Sequence, residues 1–189
     1  MARLALFGLG VVVAALLIVA LLPQHRRPVP SSTITLDNAD VTLYPQADPQ
    51  AVWTFQSPTV RFDPNLRQTT LLDIQNGKRV VNGKTDFTLA SNEIIIDSND
   101  NLRGQHITAH LLSQDVTLDM VARSGRQVLI NQQKGQFEVP RVTVTDPNDN
   151  NIVFEDMRIG FDFTTFQAGG PGTVGYGTFV VSPPGKEPQ

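Results

Sequence analysis

Residues 77–85 come nearest to a nucleotide-binding motif in this 189-residue sequence. They resemble a phosphate-binding loop, but that loop needs four residues between its glycines and this segment has five. After Thr85, polar and apolar residues alternate as in a strand, where the motif requires a helix N-terminus to hold phosphate. The spacing therefore argues against nucleotide binding.

Two other segments carry the residue types that bind metal ions. His106 and His110 are four residues apart, which on a strand separates them by about 13 Å, too far to share one ion. Residues 97–101 begin like a calcium loop, but Leu102 stands where that loop needs glycine and Thr108 where it needs a bidentate glutamate. We predict two strand histidines, a hairpin turn, and neither a metal nor another cofactor.

The sequence contains no arrangement typical of nucleophilic catalysis. It has no nucleophile elbow and no cysteine, and the third histidine, His25, lies in a short spacer before the first strand. A solvated sheet face explains the carboxylates of Asp86, Glu93, Asp97 and Asp119. A two-carboxylate glycosidase site stays open as an alternative. We predict that the protein is not an enzyme.

The elements that must position these residues are strands, because apolar and polar residues alternate after Thr33 with the period of two typical of half-buried strands. Turn residues separate the runs, as at Asn82-Gly83, Ser124-Gly125 and Lys134-Gly135. We predict an all-β domain of short strands. The alternating apolar pairs are Ile34 and Leu36, Val41 and Leu43, Trp53 and Phe55, Val60 and Phe62, Leu72 and Ile74, and Phe87 and Leu89.

A weak repeat accompanies the strands, because Gly83, Gly104 and Gly125 are 21 residues apart. About 21 residues hold two short strands with their turns, so the repeat favours a long antiparallel stack, either a jelly roll or a rolled sheet. One domain of this size can bury a core without disulfides or metals.

The N-terminus carries nineteen uncharged residues from Leu4 to Leu22. As a helix this run would be about 29 Å long, close to the thickness of a bilayer's hydrocarbon core. A cleavable signal peptide is the alternative, but residues 20–24 offer no small residues spaced for a peptidase. We predict one uncleaved transmembrane helix, with the β-domain outside the cytoplasm, as is usual for a short N-terminus before a first anchor.

These patterns divide the chain into four parts. We predict an anchor over residues 1–24, a linker over 25–32, a β-domain over 33–168, and a Gly- and Pro-rich C-terminal region over 169–189 whose end is disordered. Three of the 15 basic residues precede position 28, so 12 basic and 18 acidic side chains follow, a formal charge of −6. Nucleic acid is therefore not a predicted partner.

The N-terminal span, the short spacer, residues 51–58 (AVWTFQSP) and the strand-turn-strand units around residues 101–104 (NLRG) together resemble a known family. That family comprises the membrane-anchored periplasmic component of the lipopolysaccharide export system and its soluble OstA-like relatives. The resemblance covers roughly residues 39–144 and implies an OstA-like β-jelly roll, a rolled antiparallel sheet. The Gly- and Pro-rich region from Gly169 has no place in the family pattern.

The resemblance also implies a function. A single-pass inner-membrane protein with a periplasmic domain would receive lipopolysaccharide, or a related envelope glycolipid, from the subunits of an inner-membrane ABC transporter. It would pass the lipid to a periplasmic OstA-like bridge protein that pairs with an edge strand. Exposing an acyl chain of about twelve carbons to water costs on the order of 10 kcal/mol, which a hydrophobic groove avoids.

Groove residues are predicted from the alternation alone, because no family residue transfers by motif. The alternative from another class is a membrane-tethered β-domain that acts as a scaffold in an envelope complex without binding lipid, with a closed sheet interior. The candidate lipid-binding residues on the inner face are Trp53, Phe55, Phe62, Leu72, Ile74, Phe87 and Leu89.

Overall fold

The computed structural model describes residues 33–163, 165–169 and 177–180. The predicted anchor (1–24) and linker (25–32), and the C-terminal region apart from Gly169 and residues 177–180, lie outside these described residues. In the described part of the chain, no helix has the length and apolar character needed to cross a bilayer.

Twelve strands form the described part of the chain, and they belong to one sheet in which every pair is antiparallel. The predicted all-β class is therefore confirmed, and the sheet is consistent with a jelly roll. The strands are β1 Ile34–Leu43, β2 Ala51–Asp63, β3 Gln68–Val81, β4 Lys84–Ile96, β5 Leu102–Gly104, β6 His106–Leu111, β7 Val116–Val121, β8 Val128–Asn131, β9 Gln136–Thr145, β10 Asn151–Gly160, β11 Thr165–Ala168 and β12 Gly177–Val180.

The sheet is an antiparallel meander folded across its long strands. β4 pairs with β6 through residues 87–90 and with β5 through residues 95–96. β9 likewise pairs with β7 through residues 141–145 and with β8 through residues 136–138. The long strands thus contribute their two halves to two layers. We name as layer 1 the part of the sheet that contains β6 and β7, and as layer 2 the part that contains β5 and β8.

The two layers face each other across the hydrophobic core. Phe87 lies in the layer 1 half of β4 and Phe137 in the layer 2 half of β9, strands that are not hydrogen-bonded neighbours. Their ring centroids are nevertheless only 5.3 Å apart. Because apolar side chains from both layers meet in this way, the folded meander buries one continuous core.

Prolines and left-handed residues mark two of the positions where the strands bend. Asn38 on β1 has φ of 50° and lies opposite Pro58 on β2. Asp156 on β10 has φ of 53° and lies opposite Pro140 on β9. Proline has no N–H to donate to the ladder, and a left-handed residue interrupts the regular pleat, so the sheet can turn there from one layer to the other.

Two buried serines form hydrogen bonds to the backbone at irregular positions of the sheet. The Ser57 hydroxyl lies 2.7 Å from the carbonyl oxygen of Leu72 on the next strand, and the Ser91 hydroxyl lies 2.7 Å from that of His106. Each serine lies at an irregularity in its ladder. The two hydroxyls thus supply donors to backbone carbonyls where the ladders are irregular.

Candidate functional site

Five of the seven predicted inner-face residues lie in the core: Trp53, Phe55, Ile74, Phe87 and Leu89. Each is at most 1% exposed, so these five side chains lie between the two layers. At that exposure a side chain has no surface left for a ligand to contact. Lipid contact at these five positions would therefore require the packed core to open.

The other two candidates, Phe62 and Leu72, are not core residues. Phe62 shares a face with the buried Val60, but it is 38% exposed because it lies near the end of β2, opposite the exposed Ile34 of β1. Leu72 is only half-buried. The left-handed residue Asp73, with φ of 52°, interrupts the alternation, so Leu71 and Ile74 face the core and Leu72 does not.

Aromatic rings fill the centre of the core. Phe87 contacts Trp53 and Phe137 with ring centroids 5.3 Å apart in both pairs, and Phe161 lies 5.3 Å from Phe137. We call Trp53, Phe87, Phe137 and Phe161 the aromatic cluster. Its edge-to-face and tilted geometries are the favourable ones for aromatic pairs, each contributing about 0.5–1.5 kcal/mol beyond burial.

A buried arginine covers one side of the aromatic cluster. The Arg79 guanidinium carbon lies 4.6 Å from the centroid of the Phe161 ring, and the side chain forms ion pairs with Asp48 and Asp86. A charge this deeply buried must be paired to be tolerated. Asp48 belongs to the loop between β1 and β2, so the ion pairs fasten that loop over the cluster.

An apolar cleft of about 320 Å³ lies between the layers on the side of β10. We call it the cleft. Gln114 is the one polar side chain among the described residues that line it. Its apolar lining comes from Leu111, Val116, Leu118, Val144, Ile152 and Phe154 in layer 1 and from Met157, Ile159, Phe163 and Phe166 opposite.

Strand pairing places the layer 1 wall of the cleft. Val144 on β9 pairs with Leu118 on β7 and with Ile152 on β10, so the three side chains share the inner face. Val153 on β10 points to the opposite face, beside Thr143. The alternation of two neighbouring hairpins therefore forms a continuous apolar wall.

The cleft opens at β10, which is the last described strand of layer 1. Among the described residues, β11 pairs with β10 only at Arg158 and Ile159, and the Gly169 amide donates to the Glu155 carbonyl oxygen. Residues 151–153 thus pair with no other described strand on their outer side. Ile152 is 54% exposed and Val153 is 50% exposed, so two adjacent apolar residues meet solvent on opposite faces of this edge.

A tight turn holds the hairpin that carries Val144 and Ile152. The backbone N–H and the side-chain amide of Asn150 both donate to the Asp146 carboxylate at 2.9 Å, and the Asn148 N–H donates at 2.8 Å. These bonds, those from Asn150 above all, hold the pKa of the Asp146 carboxyl below its usual value. The carboxylate that organises the turn therefore stays charged at neutral pH.

Residues 97–101 form a second turn of this kind, at the place where the sequence predicts a hairpin turn. The Asn101 N–H donates to Asp97 Oδ1 at 3.1 Å, and the Asn101 side-chain amide lies 3.4 Å from Asp97 Oδ2. The Asp97 carboxylate also pairs with Arg103. The Asp97 oxygens thus accept hydrogen bonds from the turn and also pair with the Arg103 guanidinium.

The two strand histidines pair with different carboxylates. His106 Nε2 lies 2.5 Å from Asp119 Oδ1, and His110 Nε2 lies 3.5 Å from Asp115 Oδ1. Within the described ranges, no three His, Cys, Asp or Glu side chains are grouped so that they would hold a metal ion. These polar groups lie on β6, β7 and the turn between them, and none of the four lines the cleft.

Sequence reasoning did not identify the cleft, although its residues follow the same alternation as the core. No local signal separates Val144 or Ile152 from a buried strand residue. The one unusual feature is the apolar run Ile152-Val153-Phe154, which breaks the alternation directly after the turn that starts at Asp146.

Comparison with known proteins does not assign a family. No protein-family model matches this chain, and no curated protein matches it in sequence.

Proposed function

We propose that this protein binds an acyl chain of an envelope lipid in the cleft and passes the lipid on, as a membrane-anchored periplasmic component of lipopolysaccharide export. One observation carries the proposal: the cleft has an almost wholly apolar lining, and it opens to solvent at the β10 edge. Isolated exposed apolar residues are normal on a protein surface, but an open cleft with a continuous apolar wall is typical of ligand sites.

The size of the cleft limits what it accepts. A volume of about 320 Å³ is near the lower end of the roughly 300–1,000 Å³ range of small-molecule sites. It therefore suits part of one acyl chain and not a whole glycolipid. Each CH₂ group that enters gains about 0.8 kcal/mol relative to water, so hydrocarbon contact alone supplies the driving force.

The resemblance noted in the sequence supports the choice of cargo and partners. On this proposal the fold is an OstA-like jelly roll, residues 1–24 anchor it in the inner membrane, and lipopolysaccharide arrives from the ABC transporter. In the described part of the chain β1 pairs only with β2, so its other side and residues 151–153 of β10 offer backbone groups to which a periplasmic OstA-like bridge protein would add a strand. A related envelope glycolipid would satisfy the same chemistry.

A scaffold that binds no lipid is the second candidate, and the packed core favours it. Trp53, Phe87 and Leu89 are closed off from solvent, as a dry sheet interior predicts. On this alternative the strand edges would recruit neighbouring proteins, and the cleft would be part of a protein interface.

Photocrosslinking in cells distinguishes the two candidates. A photoreactive residue at Ile152 is expected to form a lipid adduct whose mass identifies lipopolysaccharide or another lipid. Val153 is the matched control, because it is the next residue and almost equally exposed but lies on the outer face. Lipid adducts at Ile152 alone support lipid binding. Protein adducts without any lipid adduct at Ile152 would support the scaffold instead.

A further inference from the structure

Phe163 forms the inner end of the cleft. Its side chain lines the cleft, yet the residue is only 6% exposed because its other side packs into the core. There the Phe163 ring lies 5.7 Å from the ring of Phe87 and 5.8 Å from that of Phe137. One aromatic ring therefore separates the open cleft from the aromatic cluster.

The backbone at Phe163 has an unusual conformation. Its φ is 53°, in the left-handed region that bulky residues rarely adopt, and its N–H donates to the Gly160 carbonyl oxygen at 3.0 Å. This turn directly follows β10 and brings the ring back between the layers. Such conformations persist only where the surrounding structure enforces them, and they concentrate at ligand-binding sites.

We propose that Phe163 sets the depth of the cleft and thereby the length of acyl chain that the protein accepts. The inference depends on the proposed function, since it assumes that the cleft holds an acyl chain. Protein interiors are close-packed, so a deleted ring leaves space that neighbouring side chains only partly fill. Because that space would be apolar, it would bind hydrocarbon more readily than water.

The test uses the full chain in lipid nanodiscs, with a photoreactive residue at Ile152. An equimolar mixture of saturated fatty acids of about ten to about eighteen carbons is added, and mass spectrometry of the adducts gives the chain-length profile. In Phe163→Ala the profile should shift to longer chains. The relative yield should rise about fourfold for each additional CH₂ that the new space accepts.

Phe166→Ala is the matched control, because Phe166 also lines the cleft but is only half-buried, and its ring lies 5.5 Å from that of Phe154 in the layer 1 wall. It should lower the yield at all lengths without moving the profile. Phe163→Leu is the substitute if Phe163→Ala fails to fold. It keeps an apolar side chain, so the profile should shift in the same direction by a smaller amount.

The outcomes separate the two claims. An unchanged profile in a folded Phe163 variant would overturn the depth-setting role while lipid binding stands. A wild-type chain that captures no fatty acid at any length would overturn the proposed function, and the role of Phe163 with it.

Discussion

Replacing Phe87 by alanine is expected to lower the free energy of unfolding by about 3–5 kcal/mol. Phe87 is fully buried, and its ring contacts Trp53, Phe137 and Phe163. Deletion of the ring would remove its transfer free energy and leave a cavity between the two layers. Denaturant unfolding of the full chain in detergent, followed by the fluorescence of Trp53, measures the change.

Phe62→Ala is the control for that experiment. Phe62 is partly exposed on β2, so its truncation should cost much less, about 1 kcal/mol. Equal losses at the two positions would mean that the rings between the layers are not packed as described. The prediction of a lipid groove along Trp53, Phe55, Phe87 and Leu89 would then regain support.

Ile152→Glu is expected to reduce lipid capture at least about fivefold without unfolding the protein. A glutamate at this position would bring a charged group against the acyl chain, and burying an unpaired polar group costs about 1–3 kcal/mol. Because Ile152 is more than half exposed, the free energy of unfolding should change by only about 0.5 kcal/mol. The measurement is the yield of adduct with a photoactivatable fatty acid supplied to cells.

Val153→Glu supplies the comparison, because it adds the same charge one residue away on the outer face of β10. Its adduct yield should equal that of the wild type. A similar loss in both variants would point to a general effect of negative charge at this edge and would count against acyl binding inside the cleft.

Period-two alternation predicted the all-β class and the faces of most strand residues. It succeeded at Trp53, Phe55, Phe87 and Leu89 because β2 and β4 are regular around these positions. It failed at Leu72 because one left-handed residue, Asp73, shifts the alternation, and nothing in the local sequence predicts that conformation.

Alternation indicates which face a residue occupies but not what covers that face. Phe62 illustrates the limit, since its face is that of Val60 while its burial depends on the edge strand β1. The cleft was missed for the same reason. Its two walls come from halves of strands that meet only when the meander folds, a long-range event that the sequence pattern does not encode locally.

The glycine repeat illustrates a different limit. Gly83 and Gly125 both have positive φ, 78° and 77°, and lie in turns. Gly104 instead ends β5, where an added Cβ would lie 2.9 Å from the Glu93 carbonyl oxygen. Equal spacing therefore reflects two separate requirements, backbone freedom in turns and close packing in a strand, and not one repeated hairpin.

The central claim, that an acyl chain lies in the cleft and not in the packed core, is tested most directly by methyl NMR. The full chain would carry labelled isoleucine methyls in nanodiscs of deuterated lipid, with protonated lipopolysaccharide added. We expect nuclear Overhauser contacts from acyl CH₂ groups to Ile152 and Ile159, which line the cleft, and none to the buried Ile94 and Ile130. Contacts to Ile94 or Ile130, or to none of the four, would contradict the account.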